Sequence, residues 1–325
     1  MKKKLILVIP IILLFIFFSL LIYYWIIPMN TSGVKLSIQK GEYLPVVIKK
    51  FNKNGVRLSK VYTKLYYRLF SRQINAGDYY FKSNINLFTL SKILSRGFAN
   101  GIKVTIPEGF TYNDIIKKLS EKQLIDGDKF KNLYSDKSFI KELGIKSRNL
   151  EGYLFPDTYY FDSNNTEQQI IIKMYNNLVD KLEKLNLISK IEKSTFTLNE
   201  ILTIASLVEW EAKVDSERAI IAQVFLKRLK IYKPLESCAT IEYALGEHKE
   251  KLSREDLEIK SPYNTYKNFG LPPTPINNPG IKSIRVVLNP ADTDYLYFVS
   301  KKDGTHEFTK SYKEHLKAKR KYNGQ

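Results

Sequence analysis

Two glutamates in the segment TLNEILTIASLVEWEA have types and spacing that suit chemistry. Thr197 and Glu200 have the spacing of a capping box, which predicts a helix that begins at about Leu198. Apolar residues then recur every three or four positions and form a stripe that should face the core. Glu209 falls on that stripe, whereas Glu211 lies about 200° further round the helix. We therefore expect one acid to point inward and the other to point elsewhere.

A carboxyl group that faces apolar side chains loses hydration of its charged form, so its pKa rises. In such a position Glu209 would hold a proton near neutral pH and would act as a general acid. Periodicity leaves an alternative open, in which Glu209 lies past the last buried turn or forms a structural ion pair with an arginine such as Arg218. Glu217 and Arg218 either orient Glu209 or cap and solvate the next helix, and the second interpretation is favoured here.

The composition limits the classes of protein to which the chain can belong. Its 325 residues include 52 Lys and Arg against 33 Asp and Glu, a net charge of +19 that suits a polyanionic partner. The lysines are spread along the chain without an arginine-rich run, so nucleic acid is not indicated. The single cysteine, Cys238, excludes an internal disulfide and a cysteine-built metal cluster. We expect no metal and no cofactor.

The amino-terminal segment has the pattern of a membrane anchor. Three lysines lie within residues 1–4, and residues 5–27 carry no charge, which is long enough to cross a hydrocarbon core of ~30 Å. Tyr23, Tyr24 and Trp25 resemble an interfacial aromatic belt. A cleaved signal peptide is the alternative, but no small-residue cleavage site follows. We predict a retained single-pass anchor in the cytoplasmic membrane, with residues 1–4 in the cytoplasm and the rest outside the cell or in the periplasm.

A short internal repeat, which we call the echo, follows the predicted anchor. The stretch from Ile38 to Gly41 leads into an amphipathic segment, and a similar stretch from Ile106 to Gly109 leads into another. Each copy predicts a short strand, a glycine turn and a helix, and these small units resemble LysM-like wall-binding modules. Residues 33–140 are predicted to form such modules, although a structural spacer is the alternative.

A mixed catalytic domain is predicted over residues 150–320, with the boundary in the polar stretch 135–149. This region opens with the aromatic sequence LEGYLFPDTYYF, contains the two central helices and continues through long Pro-rich and Tyr-rich loops. Long ordered loops of this kind are usually functional. The carboxyl-terminal part predicts a β-hairpin between the strands around Tyr297 and Phe308. The fold class is therefore α+β, with a transmembrane helix, small strand and helix modules and a mixed catalytic domain.

The order of several short motifs resembles one known family. EGYLFPDTY, ASLVEWEA, SPYNTY, GLPP, NNPG, LNPA, YLYFV and HEFTKSYKEH follow one another behind the predicted anchor. In this order they resemble the endolytic murein transglycosylase family, which is also called MltG or YceG-like. The resemblance implies a membrane-anchored enzyme that cuts nascent glycan strands between N-acetylmuramic acid and N-acetylglucosamine and leaves 1,6-anhydro-muramyl ends. The catalytic acid of the family motif A-S-x-[IV]-E-x-E corresponds to Glu209.

Candidate sugar contacts lie in the loops that follow the central helices. Tyr263, Asn264 and Tyr266 are the strongest candidates, since amides hydrogen-bond N-acetyl groups and rings stack on sugar faces, but a structural turn is an equal alternative. Ser237 and Thr240 are weaker candidates. The family commonly reads L-Q-[ST]-D-P-T where this chain reads LESCAT, so Cys238 replaces an acid that is frequent there.

Two other functions remain open from the sequence. A lysozyme-like muramidase would hydrolyse the same bond and leave reducing ends, and a noncatalytic anchored scaffold would only bind the wall. The expected partners are peptidoglycan strands and the membrane, and the family resemblance adds penicillin-binding proteins, which are peptidoglycan synthases.

Overall fold

A computed structural model describes residues 18–39, 41–70, 72–81, 83–96, 102–161, 165–249 and 252–323. The predicted cytoplasmic residues 1–4 and most of the predicted anchor at 5–27 lie outside these residues. Residues 18–26 form helix α1. Within the described ranges, no helix is both long and apolar enough to cross a membrane. The mixed α+β class is confirmed, because helices alternate with three antiparallel two-stranded sheets in this part of the chain.

The first compact unit contains a strand–helix–helix–strand module. Strand β1 (Lys35–Ile38) leads to helices α2 (Leu44–Lys53) and α3 (Lys60–Leu69), and β2 (Gly77–Tyr80) returns antiparallel to β1. Helix α4 (Leu87–Arg96) follows. The module has its own core, since the inward faces of these elements bury apolar side chains that include Ile38, Ile48, Phe51, Tyr66 and Leu90.

The second compact unit begins with the other copy of the echo. Strand β3 (Ile102–Thr105) leads to helices α5 (Tyr112–Glu121), α6 (Gly127–Tyr134) and α7 (Lys137–Glu142), and β4 (Thr158–Phe161) pairs antiparallel with β3. The helix predicted after the glycine turn is present as α5, and it begins at a complete capping box that Thr111 and Asp114 form. Both predicted strand, glycine-turn and helix units are therefore present.

The predicted domain boundary lies inside this second unit. Contacts divide the chain between residues 101 and 102, not within 135–149. The physical reason is the pairing of β3 with β4, which joins the two sides of the polar stretch into one sheet. The predicted 33–140 region therefore spans parts of both units.

The remainder of the second unit is mainly helical. Helices α8 (Glu167–Lys184) and α9 (Ile188–Glu192) precede helix α10 (Leu198–Glu211), and a 3-10 turn leads to α11 (Arg218–Lys230). Further helices are α12 (Cys238–Leu245), α13 (Arg254–Leu257), α14 (Ile281–Leu288) and α15 (Tyr312–Asn323). Helices α10, α11 and α14 pack against one another. The predicted hairpin is confirmed as β5 (Tyr297–Ser300) and β6 (His306–Thr309).

Candidate functional site

Helix α10 brings Glu209 into a buried position at its last turn. The predicted capping box is present, because the Thr197 hydroxyl accepts a hydrogen bond from the Glu200 amide and the Glu200 carboxylate accepts one from the Thr197 amide. Every residue from 201 to 208 is buried, so the helix is fixed on all sides over two turns. The Glu209 side chain is only 6% exposed. Its predicted inward direction is confirmed.

Both oxygens of Glu209 accept hydrogen bonds from fixed donors. Arg218 Nη1 lies 2.9 Å from Oε1, and the Gly280 amide nitrogen lies 2.9 Å from Oε2. Gly280 is the N-cap of helix α14, so its N–H belongs to the positive end of that helix. The carboxyl group is therefore held at both ends, and its orientation does not depend on solvent.

Arg218 is part of this site, contrary to the interpretation favoured from the sequence. Its residue is 8% exposed, and it donates to Asp215 at 3.0 Å and to the Ser283 hydroxyl at 2.6 Å as well as to Glu209. Lys282 pairs with Asp215. The ion pair between Glu209 and Arg218, which the sequence left open as an alternative, is therefore present, and a 3-10 turn precedes the helix that Arg218 begins.

Asn278 joins three motifs that are far apart in the sequence. Its backbone carbonyl accepts from Gly109 N–H at 2.9 Å, and its own N–H donates to the Phe110 carbonyl at 2.9 Å. Its side-chain oxygen accepts from Leu154 N–H at 2.9 Å. Asn278 is fully buried, so these bonds are shielded from water. The sequences IPEG, EGYLFP and NNPG therefore meet beside the end of α10.

Glu151 lies at the centre of the same junction and is 1% exposed. It accepts hydrogen bonds from Tyr112 N–H and Asn278 Nδ2, each at 3.0 Å, and from the hydroxyls of Tyr243 at 3.1 Å and Tyr134 at 3.2 Å. No cation pairs with it among the described residues. Burial raises the pKa of Glu151 to about 8, although its hydrogen bonds oppose that shift. Glu151 therefore acts as an internal anchor that fixes the turn beside Glu209.

Glu108 is a second carboxyl group at the site, and sequence reasoning missed it. A β-carbon at Gly280 would lie 1.9 Å from Oε1 of Glu108, so this carboxyl group covers Gly280 directly. A β-carbon at the neighbouring Gly109 would lie 3.7 Å from Cγ of Glu209. Partial burial and the charge of Glu209 raise the pKa of Glu108. The sequence offered one sign that Glu108 could matter, its place in the glycine turn of the second copy of the echo.

Glu211 faces a different environment from Glu209. Its carboxylate accepts a hydrogen bond from the Ser237 hydroxyl at 2.9 Å, and burial raises its pKa. The prediction that the two acids point in different directions is confirmed. Ser237, one of the predicted sugar contacts, is therefore tied to Glu211.

Two other predicted sugar contacts have their polar groups used inside the protein. Asn264 is fully buried, and its amide donates to the Leu257 and Ile259 carbonyls while its oxygen accepts from Tyr266 N–H. Thr240 is also fully buried, and its hydroxyl donates to the Ser237 carbonyl. Direct sugar contacts by Asn264 and Thr240 do not fit this geometry, because their donors and acceptors already stabilise the loop.

Tyr263 and Tyr266 are partly exposed. The Tyr263 hydroxyl lies 2.7 Å from that of Thr274, and the Tyr266 hydroxyl lies 3.1 Å from Sγ of Cys238. Each ring keeps one accessible part, so a sugar contact by either tyrosine stays a prediction.

Comparison with known proteins gives a consistent result. Residues 36–321 match the model of the YceG-like family. A protein of Bacillus subtilis (strain 168) named endolytic murein transglycosylase is 34% identical over 313 residues, which are 90% of this chain and 86% of the relative. A protein with the same name from Streptococcus pneumoniae serotype 2 (strain D39 / NCTC 7466) is 33% identical over 70% of this chain and 46% of its own length. The crystal structure of a YceG-like protein from Listeria monocytogenes has a TM-score of 0.61 and 30% identity, covering 89% of this chain and 99% of that one.

Proposed function

Because the chain belongs to the YceG-like family, we propose that it is an endolytic murein transglycosylase, a lyase that acts on peptidoglycan, with Glu209 as its catalytic acid. It cleaves glycan strands internally between N-acetylmuramic acid and N-acetylglucosamine and forms 1,6-anhydro-muramyl ends. The observation that carries the proposal is the position of Glu209, which is held by Arg218 and the Gly280 N–H where the family motifs meet.

The reaction moves one proton out of the enzyme and one proton back. Glu209 protonates the glycosidic oxygen as the bond to the muramyl anomeric carbon breaks, and the muramyl 6-hydroxyl oxygen then bonds to that carbon. The proton of the 6-hydroxyl returns to a carboxylate, so no water is consumed. The attacking oxygen is already part of the substrate, and much of its positioning entropy is therefore lost before the reaction begins.

Arg218 and the amino end of α14 support the charge that forms on Glu209 after it has donated its proton. The guanidinium and the Gly280 N–H both lie 2.9 Å from carboxylate oxygens, which is the range of charge-assisted hydrogen bonds. Because these donors are fixed before the reaction, they cost little reorganisation during it. Tyr263 and Tyr266 are the best remaining candidates for sugar contacts.

The first unit supports a proposal about attachment to the wall. Its strand–helix–helix–strand module and an open groove of about 620 Å³ suit a small glycan-binding unit of LysM-like type. Tyr24, Asn52, Arg57 and Ser59 line the groove in this unit. Residues 5–27 anchor the protein in the cytoplasmic membrane, and the catalytic unit lies on the outer side with its substrate. Peptidoglycan synthases are the expected protein partners.

The test is the chemistry of the released ends. Full-length protein in detergent and a Glu209→Gln variant are incubated with un-crosslinked nascent glycan strands and with whole sacculi, and the products are identified by mass spectrometry. We expect anhydro-muramyl ends from the wild type and at least a 100-fold lower rate from the variant. Glu192→Gln, at an exposed glutamate at the end of α9, is the matched control.

The alternatives give different products. Reducing ends from the wild type would identify a muramidase and overturn the transglycosylase. No cleavage by either protein would favour a noncatalytic wall-binding scaffold. If Glu209→Gln keeps full activity and releases anhydro-muramyl ends, the proposed reaction stands, but Glu209 is not its catalytic acid.

A further inference from the structure

Glu108 lies at the candidate site, and its carboxyl group forms no hydrogen bond or ion pair with the residues that the structure describes. The residue is exposed to solvent. Its carboxyl group nevertheless lies across Gly280, whose N–H binds Glu209. A second carboxyl group is therefore accessible beside the one that the proposed function uses.

The charges around Gly280 do not balance. Three acids lie there, Glu108, Glu209 and Asp215, and the two nearby cations are Arg218 and Lys282. Arg218 pairs with Glu209 and Asp215, and Lys282 pairs with Asp215. Glu108 is the member of this group that lacks a cation partner among the described residues, so it can take up a proton without losing an ion pair.

We propose that Glu108 is the second carboxyl group of the reaction and takes the proton from the muramyl 6-hydroxyl, while Glu209 protonates the leaving oxygen. This inference rests on the proposed function and divides the acid and base roles between two residues. The carboxyl group of Glu108 is the base because it is exposed to the substrate side and unpaired, whereas Glu209 is fixed by two donors.

The geometry suits a reaction that takes place on one face of the sugar. The 1,6-anhydro bridge closes on the face from which the leaving oxygen departs, so the proton donor and the proton acceptor must lie on the same side of the ring. Glu108 and Glu209 meet at one residue, Gly280, and so approach a bound sugar from the same side. Ordinary glycosidases that use two carboxyl groups place them about 5–9.5 Å apart on either side of the bond.

The protons and bonds balance over one cycle. The bond from the anomeric carbon to the leaving oxygen breaks as Glu209 gives up its proton, and the bond to the 6-oxygen forms as Glu108 gains one. Transfer of that proton from Glu108 back to Glu209, directly or through solvent, restores the starting state. No oxidant, cofactor or water molecule is consumed.

The electrostatic surroundings support a base role for Glu108. Partial burial of its carboxyl group raises the pKa of Glu108, and the negative charge that forms on Glu209 as it gives up its proton raises it further. Arg218 and Lys282 oppose this effect and Asp215 adds to it. A carboxylate with a raised pKa is a stronger base near neutral pH. Since two adjacent carboxyl groups titrate together, the pH–rate profile reports apparent values for the pair.

The first test compares full-length wild-type protein with Glu108→Gln, Glu108→Asp and the control Glu121→Gln, which changes an exposed glutamate at the end of α5. The rate of anhydro-muramyl formation from nascent strands is measured from pH 4 to 9. We expect kcat of Glu108→Gln to fall about 100-fold with little change in KM, because general base catalysis contributes roughly 10²–10⁴-fold. The fall in rate at acidic pH should move to lower pH, and Glu108→Asp should recover part of kcat.

The second test moves the carboxyl group without changing it. Gly280→Ala would place a β-carbon 1.9 Å from Glu108 Oε1, and because φ at Gly280 is −73°, the backbone itself tolerates alanine. The Glu108 side chain is flexible and can turn away, so we expect a small change in melting temperature and a loss of kcat similar to that of Glu108→Gln. The double variant Glu108→Gln/Gly280→Ala should be no slower than either single variant.

The outcomes separate this inference from the proposed function. If the wild type releases no anhydro ends, both are overturned. If the wild type is active and Glu108→Gln has the same kcat and pH profile, only the role of Glu108 is overturned. A Glu108→Gln variant with raised KM but an unchanged pH profile would also overturn it, because that result indicates a contact in substrate binding alone.

Discussion

The two copies of the strand, glycine-turn and helix echo have similar sequences but different surroundings. In the first copy the turn at Gly41 has open space around it, since a β-carbon there would meet nothing within 4 Å. In the second copy the turn at Gly109 packs against Glu209, and the helix that follows begins at a buried hydrogen bond from Tyr112 N–H to Glu151. The same local structure thus serves as a self-contained module in one unit and as a wall of the candidate active site in the other.

This difference shows what local sequence does and does not determine. A short strand, a glycine in the left-handed region and an amphipathic helix are sufficient to form either copy. The second copy lies at the candidate site because of residues outside it: Glu151 and Asn278 bind its backbone, and Glu209 packs beside its glycine. We expect four measurable differences between the two copies and the units that contain them.

The largest expected effect tests whether the two units are stabilised separately. Phe51 in the first core and Phe130 in the second are both completely buried. Replacing either with alanine should cost about 3–5 kcal/mol in the unit that contains it. Calorimetry should show two unfolding transitions, and Phe51→Ala should lower the midpoint temperature of one of them. At temperatures below that transition, kcat on glycan strands should stay unchanged.

Phe130→Ala is the matched variant in the second unit. It should lower the midpoint temperature of the other transition, and activity should be lost at a correspondingly lower temperature. A single transition that moves equally in both variants would contradict the separation of the two units.

The second prediction concerns Glu151, which binds the helix of the second copy. Its folded pKa is about 8, above the ordinary value of 4.5, so the folded state holds a proton that the unfolded state has released. Stability is therefore present at low pH and is lost as pH rises toward 8. Between pH 6.5 and 8 we expect the free energy of unfolding of the second unit to fall by about 2 kcal/mol, since one pH unit corresponds to about 1.4 kcal/mol.

Denaturant unfolding of the wild type and Glu151→Gln over this range checks the effect. The window begins at pH 6.5 because burial lowers the pKa of His315 from 6.5 to about 4, so most of the pH dependence that His315 contributes lies below this window. The remainder is the same in the wild type and the variant, and it cancels in the comparison. Glu151→Gln should show a flatter profile. An equal slope in the two proteins would remove Glu151 as the titrating group.

The third prediction compares the glycine turns directly. Gly41 and Gly109 have φ values of +89° and +79°, so alanine at either position should cost about 1–2 kcal/mol through backbone strain. Activity should fall only in Gly109→Ala, because the backbone strain there shifts the turn that carries Glu108 and packs against Glu209, whereas the turn at Gly41 has open space around it. The measurement is kcat beside melting temperature for both variants, and equal activities would show that the second turn is as independent of the site as the first.

The smallest effect concerns the helix starts. Thr111 caps the helix of the second copy, whereas Tyr43 at the same place in the first copy makes no capping hydrogen bond. Thr111→Ala should cost about 1 kcal/mol, and Tyr43→Ser should add up to about 1 kcal/mol to the first unit. Melting temperatures of the two variants measure this, and a loss of stability in Tyr43→Ser would mean that its ring contributes more than the absent cap.

The features that followed from the sequence are those with short-range causes. The capping box at Thr197, the carboxyl-terminal hairpin and the different directions of Glu209 and Glu211 are confirmed, because each depends on spacing within one element. The family resemblance was also confirmed, since it rested on motif order along the whole chain.

The features that escaped prediction depend on contacts between distant segments. Glu108 carries no local signal of its position beside Glu209, and the turn that contains it is held there by Asn278, which is 170 residues further along the chain. The ion pair of Arg218 with Glu209 was only an alternative, and a capping role for Arg218 was favoured, because helical periodicity does not report the path of a preceding 3-10 turn. Asn264 has the residue type of a sugar ligand, but its surroundings use every polar group of its side chain.

The bonds of Asn278 also have a consequence for the order in which the protein folds. Its side chain reaches back to the Phe110 carbonyl across 168 residues, whereas the strands of the first unit pair between residues 35–38 and 77–80. Closing the longer loop costs more entropy and is slower, so contacts of this kind form late. The first unit can complete its sheet early during synthesis, but the turn that carries Glu108 has no fixed place until NNPG has been made. A chain that is truncated before residue 278 would therefore keep its first module and lack the arrangement around Glu209.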